Sequence, residues 1–283
     1  MSEERISERR YFDSGFCFVS FGVRIGIQSS SPVMLDKARD LIGKAFGDRA
    51  KIFEDTGTQV QRVFGIEDAG GKFHLFKDGV ETTSGSSERN FFKYLNSMLR
   101  LEVAEHVEGR VFLHAGVVGW KGQAIVFPGT SFAGKSTLTA ELVKNGADYY
   151  SDEYAVLAAD GRVTPFPRHV SLRYFGGKRE KDVPVSEFGG KIGTEALPVG
   201  MLLLTSFSRD GEWQPERLSP GEAIMEIIPH TLSMRKNPAF CLKVLDLVAR
   251  RAIIVRSPRG DARKFAKFLL EFFDNNSILA NIT

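Results

Sequence analysis

Apolar positions along this chain recur in two rhythms, one of two residues and one of three to four. Residues 16 to 28, dense in aromatic and β-branched side chains, predict a strand, and residues 33 to 47 predict a helix ending at Gly47. Residues 58 to 66 and 73 to 77 read as two further strands separated by AGGK, and the polar patch TTSGSSERN at 82 to 90 reads as a loop. From 88 to 107, Phe91, Phe92, Tyr94, Leu95, Met98, Leu99 and Leu101 make a broad apolar helix face, with Ser87 set to cap its start.

The pattern changes after Val111. FLHAGVVGW and QAIVFPG are strand-like runs on either side of Lys121-Gly122, a tight hairpin connection. Leu138, Leu142 and Val143 then give a helical stripe stopped by Gly146, YYSDEYAVL reads as a strand closed by Asp160-Gly161, and GRVTPFPRHVSLR as a polar segment. VGMLLLTSF is a buried strand, AFCLKVLDLVARR a helix, AIIVRSP a strand and ARKFAKFLLEFFD a terminal helix. The expected division is a smaller α+β domain over 1–108 and an α/β domain over 109–283.

Composition narrows the class without fixing the chemistry. A chain of 283 residues, 42% hydrophobic and 26% charged, can bury its own core as one large or two ordinary domains of a globular protein. Its 38 basic and 35 acidic residues are interspersed, so the net charge of +3 does not indicate nucleic acid. Cys17 and Cys241 form neither a C-x-x-C pair nor a disulfide framework, which points to a reducing cytoplasm. The first residues are too charged for a secretory signal, and the apolar run GFCFVSFGV is far shorter than the ~20 residues of a membrane span.

The candidate chemistry begins at Gly129. Residues 129–136 read GTSFAGKS and fit G-x-x-x-x-G-K-[ST], the loop whose backbone amides cradle phosphates. Gly129, Thr130, Ser131, Phe132, Ala133, Gly134, Lys135, Ser136 and Thr137 are the expected nucleotide contacts, with Lys135 on the outer phosphates and the Ser136 hydroxyl on Mg²⁺. A chance match is the alternative, but the flanking strand and helix supply the context the loop requires. ATP and Mg²⁺ are the expected cofactors.

Phosphoryl transfer to a hydroxyl needs metal ligands and a proton acceptor. Asp152 is the expected base, and Glu153 the metal-linked acid, directly or through water. Adjacent strand residues point to opposite faces, so the two should hold different roles unless the strand ends there. His114, among aliphatics one strand before the loop, is either a core histidine or a group that stabilises the transferred charge, with Ala115 and Gly116 leaving space beside it. His74, His106, His169 and His230 show no metal-ligand spacing. Arg168, Arg173, Lys178, Arg179, Arg256 and Arg259 are the basic residues available to phosphate oxygens or to solvent, and the runs FGGKRE and EFGGKIG suggest mobile loops.

The succession LHAGVV, GTSFAGKSTLTAELVKNGADYYSDEYAVL resembles the catalytic core of HPr kinase/phosphorylase, and more nearly the HPr-kinase-like bacterial P-loop kinases. The resemblance covers residues 111 to 157 well and the rest of the C-terminal half loosely. It implies a P-loop kinase core with a mixed sheet, related to HPr kinase and phosphoenolpyruvate carboxykinase. By it, Lys135 and Ser136 correspond to the nucleotide and Mg²⁺ residues, Asp152 to the base, Glu153 to the second acid and His114 to the active-site histidine. Glu153 stands where the family has aspartate, and the family's glycine-rich metal-binding segment and its C-terminal dephosphorylation motif have no counterpart here. The expectation is an ATP- and Mg²⁺-dependent kinase acting on a serine-type hydroxyl of a protein or peptide, without membrane or nucleic-acid partners, and by family likeness a homo-oligomer. A kinase of a small hydroxyl metabolite and a nucleotide-gated binding protein without transfer are the alternatives.

Overall fold

The computed structural model describes residues 10–55, 60–130, 133–173 and 180–280, side chains at 173, 180 and 277–280 excepted. The chain divides into two compact units, Met1–Glu108 and Gly109–Thr283.

The first unit runs β1 (Gly15–Ser20), β2 (Val23–Gln28), α1 (Pro32–Phe46), β3 (Ala50–Phe53), β4 (Arg62–Ala69), β5 (Lys72–Lys77), β6 (Val80–Gly85) and α2 (Glu88–His106). Its six strands form one mixed sheet in the order β3-β1-β2-β4-β5-β6, in which only β2 and β4 run parallel among the described pairings. Ser31 and Ser87 cap α1 and α2 through their side chains. The buried carboxylate of Glu102 on α2 meets Lys77 of β5 and Arg62 of β4.

Two sequence expectations change here. Residues 16 to 28 are a hairpin and not one strand, because Phe21 and Gly22 turn the chain with φ of 52° and 81°. Residues 82–85 belong to β6 and not to a loop, since Asp78-Gly79 makes another turn of positive φ and pairs β6 with β5.

The second unit contains β7 (Arg110–Trp120), β8 (Gln123–Pro128), α3 (Lys135–Lys144), β9 (Asp148–Ser151), β10 (Tyr154–Ala158), β11 (Arg162–Thr164), β12 (Val170–Arg173), β13 (Glu180–Val183), β14 (Leu197–Phe207), β15 (Glu216–Arg217), α4 (Pro220–Ile227), α5 (Pro238–Arg251), β16 (Ile253–Arg259) and α6 (Ala262–Ala280). An eight-stranded mixed sheet carries it, in the order β11-β10-β7-β8-β14-β16-β15 with β9 also on β7. β8, β14 and β16 run parallel, whereas β7 is antiparallel to β8, β9 and β10.

Helices cover both faces of this sheet, which is why its central strands are apolar without alternation. Ala124 and Val126 of β8 pack with residues of α4 and α5, while Ile125 and Phe127 pack with α3 and α6. The segment 161–173, expected to be a polar segment, supplies β11 and one strand of the separate pair β12–β13. The run EFGGKIG is not a free loop. Gly193 donates to the Tyr149 carbonyl at 2.9 Å, and a Cβ on it would fall 2.0 Å from the Tyr150 ring, so the glycine is there for close approach to β9. No helix among the described residues is long and apolar enough to cross a membrane.

Candidate functional site

Strand β7 is the frame on which the predicted site residues meet. Ala115 pairs with Pro128 of β8 on one side, and its amide donates to the Glu153 carbonyl on the other at 3.0 Å. His114 pairs with Tyr154, and its carbonyl accepts from the Gly129 amide at 3.2 Å. The loop that follows β8 and the acids that follow β9 therefore stand one strand apart on either side of β7, about 10 Å between backbones. This is also the edge at which the parallel strands end, where open α/β sheets bind ligands.

The loop passes directly into α3. Gly134 is its N-cap, in the left-handed region at φ 78°, and offers no side-chain cap to the first-turn amides. Those amides, at the positive end of the helix, suit an anion. Lys135 is 8% exposed, and its Nζ donates to the carbonyls of Gly129 at 2.9 Å and Thr130 at 2.8 Å. Burial brings its ammonium down to about 8, with Asp152 and Glu153 pulling the other way. Thr130 and Thr137 are exposed, and Ala133 and Ser136 half-buried. Ser131 and Phe132 lie outside the described residues, as do Lys178 and Arg179.

Asp152 and Glu153 are not in a strand. The YYSDEYAVL segment breaks into β9 and β10 because the Ser151 hydroxyl accepts from the amides of Glu153 at 3.1 Å and Tyr154 at 3.0 Å, turning the chain at the two acids. The opposite-face rule consequently does not apply to them, and both carboxylates reach one guanidinium. Arg168 Nε lies 3.0 Å from Asp152 Oδ1 and Arg168 Nη1 lies 3.0 Å from Glu153 Oε2.

Asp152 is buried and heavily engaged. Its carboxylate accepts from the Tyr149 hydroxyl at 3.0 Å, from Arg168, from the Ser171 amide at 3.3 Å and from Ser136. Burial by itself would raise its pKa, but the Arg168 guanidinium and these hydrogen bonds outweigh burial and hold the carboxyl below its usual range. Burial, together with the neighbouring Asp152, drives the Tyr149 hydroxyl well above its ordinary value, so it stays a proton donor to that carboxylate.

The histidines separate. His114 is half-buried beside the Tyr154 ring at 6.2 Å, and the space expected at Gly116 is filled by Phe127, whose ring atoms would lie 2.0 Å from an added Cβ. His230 joins the site: an antiparallel bridge between Thr231 and Leu113 brings it opposite His114, and its pKa is lowered by burial and by Lys135. His169 is exposed, whereas His74 contacts Glu81 and His106 contacts Glu102 in the first unit.

Among the arginines, Arg256 pairs with Glu216 and Glu226 at the surface, and Arg173 closes β12. Arg259 is 2% exposed, and its Nη2 donates to the carbonyls of Gly134 at 3.0 Å and Ala133 at 3.3 Å. Sequence reasoning undervalued Arg168, Arg259 and His230, and did not single out Tyr149; no spacing rule links such residues to a loop distant along the chain. A cavity of about 170 Å³ lined by Arg162, Val199, Leu247 and Arg251 shares no lining residue with this site.

The donors near the loop are hard oxygens, Ser136 and Asp152 in hydrogen-bond contact with Glu153 beside them, a set that fits Mg²⁺ carried in with a phosphate. Among the described residues no cluster of three or more His, Cys, Asp or Glu is grouped to hold a metal. No family model matches the chain.

Proposed function

We propose that this chain is an ATP- and Mg²⁺-dependent kinase that transfers a phosphoryl group to a serine-type hydroxyl of a protein or peptide. The observation that carries the reading is the buried ammonium of Lys135 inside a glycine loop, with Asp152 and Glu153 close enough to act on its charge. A cation kept dry at a helix N-terminus is matched to a multiply charged oxyanion. The order of loop, helix and paired acids, with a mixed sheet beneath, supports kinship with the HPr-kinase-like group and a core related to phosphoenolpyruvate carboxykinase.

In this reading the loop amides and Lys135 hold the phosphates, Ser136 and Glu153 would supply oxygen ligands to a Mg²⁺ that would neutralise phosphate charge, and Asp152 is kept for the proton. The acceptor oxygen forms a bond to the outermost phosphorus as the bond to the ADP oxygen breaks, and the acceptor proton passes to Asp152. Asp152 is held as a firm carboxylate by Arg168, so acceptor engagement has to draw Arg168 away before the proton is taken. His114 stands at the same edge as a charge-stabilising group, with His230 opposite it across the Leu113–Thr231 bridge.

The engagement of Asp152 favours one second reading, a nucleotide-gated binding protein without transfer. Incubation with γ-labelled ATP, Mg²⁺ and hydroxyl-bearing peptides or metabolites decides between them. Label in a peptide is the expected result; label only in a small molecule turns the acceptor class, and binding without transfer overturns the kinase reading.

A further inference from the structure

We infer that Arg259 is a positioning residue of the phosphate loop, tying the Ala133 and Gly134 carbonyls back to β16 so that the Gly134 and Lys135 amides face a polyphosphate. The inference rests on the nucleotide reading above and adds to it a residue 126 positions from Ala133 in the chain.

Three observations converge on Arg259. Its guanidinium is buried at the sheet edge where β14 and β16 end side by side, Phe207 paired with Arg259. Its Nη2 bonds both loop carbonyls that border α3, and a Cβ on Gly134 would lie 2.5 Å from that same nitrogen. The second glycine of the motif is thus required twice, by its positive φ and by the arginine packed against it. Nη1 reaches the Gly260 carbonyl, and Nε is buried without a hydrogen-bond partner among the described residues.

Among the described residues no carboxylate lies within ion-pair distance of Arg259; burial lowers its pKa to about 10 with Asp261 pulling the other way, so it is cationic at neutral pH. Burying a charge with no carboxylate in contact is unfavourable, and a ligand of opposite sign offsets that cost. A carbonyl pinned by this cation is also turned out of the anion's path, since an amide and the carbonyl across its peptide plane point opposite ways. Polyphosphate at the loop adds negative charge beside the guanidinium, and the arginine fork keeps two consecutive peptide planes in the orientation that receives it.

Binding of Mg-ADP and of Mg-pyrophosphate to the unaltered protein, R259K and R259Q, read by calorimetry beside ligand-free melting curves, tests this. R259Q is expected to bind both probes roughly tenfold to a hundredfold more weakly, the loss of charge-assisted hydrogen bonds. R259K, which keeps the charge without the fork, is expected to fall between and to carry the comparison if R259Q does not fold. Equal losses for the two probes locate the effect at the phosphates they share, and a ligand-free melting temperature near that of the unaltered protein separates it from a general packing defect. Binding by R259Q within about twofold of the unaltered protein overturns the inference alone. Failure of the unaltered protein to bind Mg-ADP overturns the nucleotide reading and the inference with it.

Discussion

Replacing Lys135 by methionine removes a buried charge at a known place, and the structure sets the sign and the pH range of the effect. Burial lowers the ammonium from 10.5 to about 8, offset in part by Asp152 and then Glu153. Between those values the unfolded chain binds a proton that the folded chain has released, so stability rises with pH across the window, by about 1.4 kcal/mol per unit at full difference. From about pH 7 to about pH 9 the rise is at most about 1.3 kcal/mol, and water near the partly screened ammonium brings it to about 1 kcal/mol. For a unit of this size that is about 2–4 °C in melting temperature.

Urea denaturation of the ligand-free unaltered protein and Lys135→Met at both pH values measures it. The difference between the two pH responses isolates Lys135, because the other titrating groups are shared. The unaltered protein is expected to gain about 1 kcal/mol on the variant as pH rises. A saturating polyphosphate reverses the argument by favouring the charged ammonium, so with Mg-ADP present the gain disappears. Parallel pH responses without ligand refute the burial of this charge.

Asp152→Asn leaves Arg168 with Glu153 alone, and is expected to abolish transfer and to cost about 3 kcal/mol at neutral pH by urea midpoint. Because the folded carboxyl titrates below its ordinary 3.8, that stability is present above about pH 4 and lost as pH falls through the lower folded value. Gly134→Ala forces a side chain into φ 78° and onto Arg259, and is expected to lose Mg-ADP binding in calorimetry along with about 1–2 kcal/mol of stability. Gly146→Ala, at φ 96° with its nearest neighbour 3.7 Å away, bears a similar backbone strain and is expected to keep binding.

Long periodic segments were legible: α1, α2, α5, β14 and β16 lie where apolar spacing and caps put them, and Lys121-Gly122 turns with both φ positive. Short elements were not. Nothing about phenylalanine announces the left-handed turn at Phe21, which rests on the pairing of its flanking strands. The break at Asp152-Glu153 depends on one serine hydroxyl bonding two amides ahead of it, a local alternative to the ladder that hydrophobic pattern does not record. The loop residues and both acids were visible as types and spacings. Their relation to Tyr149, Arg168, His230 and Arg259 was hidden, since it comes from strand pairing and from connections that bring distant residues to one edge.

The measurement that bears most directly on the central claim is calorimetric titration of Mg-ATP into the unaltered chain and Lys135→Ala at neutral pH. The account predicts saturable one-to-one binding by the unaltered chain and a loss of at least roughly tenfold in the variant, the removal of one charged phosphate contact. Absence of binding by the unaltered chain, or equal affinity in Lys135→Ala, would contradict it.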